Sequence, residues 1–131
     1  MVLYLSVSGF NLKVIDFLTE LQHLPPHYEL WEDKEDYDPR DENGFTLTFT
    51  GDQYLGRYPF GFKRFLVANR KLLSASRYKR VKLEKEIAVT VSSKDLPPLL
   101  NEETILFYEL RPWFVKLLDE TDIRFKIAKY K

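Results

Sequence analysis

Segments with the two-residue hydrophobic period of a strand alternate along this chain with segments that have the helical period. The order of these segments limits the possible folds more than any other feature. From residue 45 to residue 50, large apolar residues alternate with threonines. This period of two is typical of a strand with one buried face. The same period occurs near both ends of the chain, in Leu3, Leu5 and Val7 and in Ile123, Phe125 and Ile127. We therefore predict strands at these three places, and we expect Gly9 to end the first.

Segments with helical periodicity lie between these strands. Apolar residues recur at three- and four-residue intervals in residues 14–21, 62–73 and 112–118. We expect Asn11 to cap the first helix and Pro25 and Pro26 to prevent its continuation. Pro112 is suited to the first turn of the last helix. The sequence thus predicts three amphipathic helices.

Less regular hydrophobic patterns predict further strands. Short strands are expected at residues 28–31 and 105–108. Odd-numbered residues from Val81 to Val91 are mostly apolar, but Lys85 interrupts them. We therefore expect either one long strand or a bulged pair in that region.

Half-buried strands interleaved with amphipathic helices predict an α+β fold. We expect a two-layer sandwich, a mostly antiparallel sheet with helices on one face, whose other face meets solvent or a partner. The 131 residues fit a single domain, residues 1–131. Its predicted core consists of Leu5, Val7, Leu18, Leu47, Phe49, Phe65, Leu66, Val89, Leu117, Phe125 and Ile127. Nothing in the sequence fixes the strand order.

Composition restricts the chemistry and the compartment. The chain has no cysteine, which excludes disulfides, thiolate catalysis and cysteine-ligated zinc. Its first residues have no basic region typical of a signal peptide, and no segment approaches the ~20 apolar residues that span a bilayer. We therefore expect a cytoplasmic protein without a membrane segment.

No catalytic or metal-binding motif is recognisable. The only imidazoles, His23 and His27, flank two prolines and have no established ligand spacing. The segment 36–44 fails as a calcium loop, because Arg40 and Leu47 stand where oxygen ligands are required. We expect no enzyme, no metal and no cofactor. The alternative, an unrecognised enzyme using either histidine with Glu20 or Glu29, predicts a deep pocket lined by these residues.

Charge is balanced overall but strongly segregated. The acidic segment, residues 29–42, has eight acidic and two basic residues, a net charge of −6. Residues 57–85 contain ten basic residues and Glu84 as their only acid, a net charge of +9. Each block is either a solvated surface or a binding surface.

The acidic segment contains aromatic residues, as expected of a surface that binds a basic protein. Aromatic side chains anchor interfaces, whereas carboxylates steer the encounter. The predicted partner-binding residues are Tyr28, Trp31, Glu32, Asp33, Glu35, Asp36, Tyr37 and Asp38. A plain solvated loop is the alternative interpretation.

The basic helix of residues 62–73 supports a second hypothesis, nucleic-acid binding. Its outward-facing cations are Lys63, Arg64, Arg70 and Lys71. These would contact phosphates while neighbouring rings stack on bases. Against this, Phe62 and Phe65 fall on the core side of the helix, and the overall charge is zero.

Two resemblances bear on function. The final helix and strand, Glu109 to Tyr130, together with the opening strand and helix, resemble small bacterial α+β domains, some of which accompany toxin systems. In size, lack of cysteine, aromatic content and charge blocks, the chain is similar to immunity proteins of toxin–immunity pairs, such as those of contact-dependent growth inhibition. This similarity implies a protein that binds and blocks a cognate toxin.

Overall fold

Seven strands and four helices make up the described part of the computed structural model, which comprises residues 2–30, 42–50, 61–92 and 112–130. The strands are β1 (Val2–Phe10), β2 (His27–Leu30), β3 (Glu42–Thr50), β4 (Arg77–Tyr78), β5 (Val81–Lys82), β6 (Glu84–Ser92) and β7 (Arg124–Tyr130). The helices are α1 (Val14–Glu20), α2 (Phe62–Ala68), α3 (Arg70–Ser74) and α4 (Pro112–Thr121). The strand predicted at 105–108 lies outside the described residues.

Five strands form one mixed sheet in the order β2-β3-β1-β6-β7. The pairs β2/β3, β3/β1 and β1/β6 are antiparallel, and only β6/β7 is parallel. The predicted α+β class and mostly antiparallel sheet are therefore confirmed. β4 and β5 form a separate two-stranded sheet, so the segment 81–91 is divided at Leu83 rather than continuous.

The helices cover one face of the sheet. Aromatic contacts join each main helix to a strand: Phe17 of α1 to Phe45 at 5.7 Å between ring centroids, Phe62 of α2 to Phe49 at 5.2 Å, and Phe114 of α4 to Phe125 at 5.5 Å. All three strand residues lie on the same face, because alternate residues of a strand share a face. The described part therefore has the predicted two layers.

The predicted core is confirmed at every position whose side chain is described. Nine of these side chains are buried in one cluster, and Phe125 is partly buried against it. The buried residues among those predicted are Leu5, Val7, Leu18, Leu47, Phe49, Phe65, Leu66, Val89 and Leu117. Periodicity alone thus identified the interior face of each element.

The predictions for Gly9 and Asn11 were wrong. Gly9 does not end β1 but pairs with Asn43 inside the ladder. α1 begins after Lys13 without a side-chain cap, while Asn11 has a left-handed backbone at φ 63° in the turn after β1. Asparagine tolerates this conformation better than most residues, so the chain uses it for the turn rather than the cap.

Lys85 continues the apolar face of β6 instead of interrupting it. Its side chain lies beside Val7 on the helix-covered face and is only 4% exposed. The ammonium donates to the carbonyls of Leu73 at 2.6 Å and Thr121 at 2.6 Å, and of Ala75 at 3.2 Å. These carbonyls stand at the C-terminal ends of α3 and α4, where a cation also meets the negative end of each helix dipole. Burial lowers the pKa of Lys85, and the charge of Asp122 opposes that shift.

No helix within the described ranges is long and apolar enough to cross a membrane.

Candidate functional site

A buried amide holds the loop after α1 against the second helical segment. Asn69, 3% exposed, separates α2 from α3, so the single predicted helix is broken there. Its Oδ1 accepts from the Gln22 backbone nitrogen at 2.8 Å, and its Nδ2 donates to the Gln22 carbonyl at 2.8 Å and to the Phe65 carbonyl at 2.8 Å. The loop that begins at Gln22 is therefore fixed to α2. The residue that follows Gln22 in this loop, His23, has a left-handed backbone with φ 59°.

That loop forms one wall of a pocket of about 690 Å³, which we call the His–Arg pocket. Its described lining comprises His23, Leu24, Pro25, Pro26, His27, Thr48, Phe49, Thr50, Gly61 and Arg64. His27 pairs with Thr48 at the start of β2, so β3 continues beyond the point where β2 begins. The pocket lies beside the end of β3 that β2 does not cover, between that strand, the loop and the start of α2.

Half of the described lining residues of the His–Arg pocket are polar or charged residues or histidines: His23, His27, Thr48, Thr50 and Arg64. Because His27 pairs with Thr48, the side chains of His27, Thr48 and Thr50 project to the sheet face opposite the helices. Arg64 is exposed and forms no ion pair with another described residue. Both histidines that the enzyme hypothesis named are among the lining residues of this pocket. The acidic partners in that hypothesis, Glu20 and Glu29, are not among its described lining.

The predicted protein-binding surface is described only at its beginning. β2 is one of the two edge strands of the sheet formed by the described residues, and all four of its residues are exposed. Tyr28 is 49% exposed and Leu30 is 36% exposed. Both lie on the helix-bearing face, beside Leu47 and Phe45. The remaining predicted residues, Trp31, Glu32, Asp33, Glu35, Asp36, Tyr37 and Asp38, lie outside the described residues.

The four cations of the predicted nucleic-acid site are all exposed, but they do not form one unoccupied patch. Arg70 forms an ion pair with Glu120 at 2.6 Å. The Lys63 ammonium lies 4.9 Å from the Trp113 ring centroid. Arg64 lines the His–Arg pocket, and Lys71 follows on α3 after the break at Asn69. Two of the four predicted phosphate-binding cations therefore already interact with other side chains of this protein.

Sequence reasoning missed a second cationic surface, the basic hairpin formed by β4 and β5 (residues 77–82). Its exposed cations are Arg77, Lys79, Arg80 and Lys82. The two turn residues, Lys79 and Arg80, have positive φ values of 44° and 73°, as in a type I′ turn, which favours Asn-Gly. Beside the hairpin, Phe10 is 66% exposed and lines a cleft of about 470 Å³ with these cations.

Local packing fixes the basic hairpin to the core. A Cβ atom at Gly9 would lie 2.6 Å from the Lys82 carbonyl oxygen, so only glycine permits this approach. The buried ring of Tyr78 meets Phe17 edge-on at 5.0 Å. Burial raises the pKa of the Tyr78 phenol, and Glu20 adds to that shift. Tyr78 and Gly9 are the sequence signals that identify this hairpin as a fixed element.

Within the described ranges, no three potential metal ligands come together. No protein-family model matches this chain, and neither a curated protein nor a solved structure shows significant similarity to it.

Proposed function

We propose that this chain is a protein-binding inhibitor, an immunity protein that acts in the cytoplasm and neutralises a cognate bacterial toxin by blocking its active site. It acts by binding and not by chemistry. The observation that supports this proposal is the exposed edge strand β2, which leads directly into the acidic segment.

β2 offers the components of a protein interface. An edge strand presents backbone donors and acceptors on its outer side, and in the described structure only β3 pairs with β2. Tyr28 and Leu30 add exposed apolar area on one face of this strand. Aromatic residues are common interface anchors because they bury a large area at a small entropic cost.

The charge of the acidic segment selects the class of partner. A net charge of −6 over fourteen residues attracts a basic surface and accelerates the encounter. A nuclease toxin has such a surface, because its active site attracts phosphate. In this proposal Tyr28, Trp31 and Tyr37 are anchors, and the carboxylates of the segment steer the approach.

Co-purification with the product of an adjacent toxin gene tests this proposal, together with protection of cells that express the toxin. We expect Tyr28→Ala to weaken binding roughly 30-fold, equivalent to ~2 kcal/mol, mainly through faster dissociation. Reversing Glu32, Asp33 and Glu35 to lysine should mainly slow association. Asp119→Lys, at an exposed position on α4, is a control for a single charge reversal elsewhere on the surface. Absence of both binding and protection would contradict the proposal, whereas unchanged binding by the triple reversal would contradict only the assigned surface.

A second candidate function, nucleic-acid binding, gains support from the basic hairpin. Phe10 stands beside four exposed cations, and an aromatic ring among cations is typical of single-strand binding. Titration of a labelled single-stranded oligonucleotide should show affinity that falls with salt, with a slope of about −0.7 per phosphate contacted. Phe10→Ser should weaken binding about tenfold, whereas Val115→Ser, at an exposed position on α4, should not. No binding at low salt would exclude this function.

A further inference from the structure

We infer that Arg77 and Lys82, which lie directly opposite each other on the basic hairpin, together bind one phosphate group of a single-stranded nucleic acid. The Phe10 ring beside them stacks on an unpaired base next to that phosphate. This inference rests on the second candidate function, nucleic-acid binding, and it assigns the residues that contact the strand. It does not depend on the proposed inhibitor function.

The register of the hairpin places both cations on one outward face. Arg77 pairs with Lys82, and Tyr78 pairs with Val81. Tyr78 is buried against Phe17, so the other pair projects away from the core, because alternate residues of a strand point to opposite faces. Residues directly opposite each other in antiparallel strands have Cβ atoms about 5 Å apart. Two long side chains can reach the same ligand from that spacing.

This pair of side chains has two uncompensated positive charges. Like charges directly opposite each other in a sheet repel. Neither Arg77 nor Lys82 forms an ion pair with a residue of the described ranges. A phosphate group relieves this repulsion, because its oxygens accept hydrogen bonds from a guanidinium and an ammonium at the same time.

The turn of the hairpin adds a second energetic cost, which also introduces positive charge. Lys79 and Arg80 have positive φ values, where asparagine and glycine are more favourable. The Lys79 ammonium lies 3.3 Å from the Asp16 carboxylate, whereas Arg80 forms no ion pair with any described residue. Unfavourable residue choices that all add cations are typical of a binding surface rather than of a turn that only stabilises the fold.

The Phe10 ring favours an unpaired base as the neighbour of the phosphate. This ring is 66% exposed and lines the same cleft of about 470 Å³ as Arg77 and Lys82. Gly9, the residue before it, approaches the Lys82 carbonyl so closely that only glycine fits, which fixes the ring beside the two cations. An aromatic ring stacks on the face of a base, and this face is accessible in a single strand but not inside a duplex.

Anisotropy titrations of a short labelled oligothymidylate, at several salt concentrations, test this inference. Arg77→Gln with Lys82→Gln should weaken binding at low salt at least tenfold. The slope of log affinity against log salt should become shallower by about 0.7, the value for one phosphate of a single strand. Lys71→Gln with Lys116→Gln, at exposed positions on α3 and α4, removes the same charge and should change neither quantity.

A duplex of the same length should compete at least tenfold less well at moderate salt, and Phe10→Ser should reduce this preference for the single strand. All substituted positions are exposed, and thermal denaturation checks that each variant is folded.

Two kinds of failure can be distinguished. No binding by the wild type at low salt would contradict the second candidate function, and this inference with it. Binding that is unchanged in Arg77→Gln with Lys82→Gln, or lost equally in the control variant, would overturn the inference alone. So would a slope change of about 1.4, which indicates two separate phosphates, or competition by the duplex as strong as by the single strand.

Discussion

The two ends of β1 carry cationic surfaces of different construction. The nine residues of this strand extend over roughly 27 Å. The His–Arg pocket lies at the end where Val2 pairs with Thr50, and the basic hairpin contacts the other end at Gly9. The pocket is concave, has apolar walls and contains two imidazoles and one guanidinium. The hairpin carries four exposed lysine and arginine side chains, which line a cleft together with Phe10.

Each surface is connected to a buried polar side chain of a different kind. Asn69 holds the pocket loop through three neutral hydrogen bonds. Lys85 binds the Leu73 and Ala75 carbonyls, immediately before the hairpin, with a buried charge. The loop beside the pocket is therefore held by a neutral amide, whereas the segment before the exposed cationic hairpin is held by a buried ammonium group. The following predictions test this difference.

Lys85→Met should produce the largest effect on stability. It leaves three carbonyls at helix C-termini without their donor, and we expect a loss of about 3 kcal/mol in the free energy of unfolding, measured by urea denaturation. Lys82→Met, at an exposed position on the adjacent β5, should change it by less than about 0.5 kcal/mol. Equal effects of the two substitutions would show that the buried ammonium of Lys85 stabilises the fold no more than an exposed lysine does.

Asn69→Ala should cost about 2 kcal/mol, because both backbone groups of Gln22 lose their partner. Gln22→Ala is the matched control: its backbone groups make the bonds and its side chain is exposed, so stability should be unchanged. A loss of stability in Asn69→Ala no larger than that in Gln22→Ala would show that Asn69 does not hold this loop.

Replacing the hairpin turn by Asn-Gly, through Lys79→Asn and Arg80→Gly, should stabilise the fold by about 1 kcal/mol. Both positions have positive φ, which costs energy for the native residues and little for the replacements. The lost Lys79–Asp16 contact at 3.3 Å is exposed and contributes little. Thermal denaturation measures the gain. Arg77→Gln with Lys82→Gln removes two charges without relieving the turn and should show no such gain.

The smallest expected effect is the pH dependence that Lys85 adds. Because its pKa in the folded chain is lowered from 10.5, the unfolded chain binds more protons in the interval below that value. Raising the pH through this interval therefore favours folding of the wild type, and not of Lys85→Met. The stability difference between the two proteins should grow from pH 7 to pH 10 in urea denaturation. A difference that shrinks over this range would mean that burial does not lower this pKa.

Periodicity predicted much of the fold but little of the candidate sites. Alternation placed Leu5, Leu47 and Val89 in the core correctly, because a strand with one buried face requires it. The same rule placed Lys85 on the buried face, yet its charge argued against burial, and only the two helix ends meeting there explain it. The hairpin turn was not recognisable, because Lys79 and Arg80 are not typical turn residues.

The sequence by itself determined which faces of the elements are buried, the α+β class and the segregation of charge, because these depend on residues that are near one another along the chain. The tertiary structure decided the sheet order and brought His23, His27 and Arg64 to one pocket. These residues come from a loop, a strand and a helix whose separation in space depends on strand pairing and on the Asn69 contact, which joins residues 47 positions apart. No local pattern encodes such contacts, since they become favourable only when the whole sheet has formed.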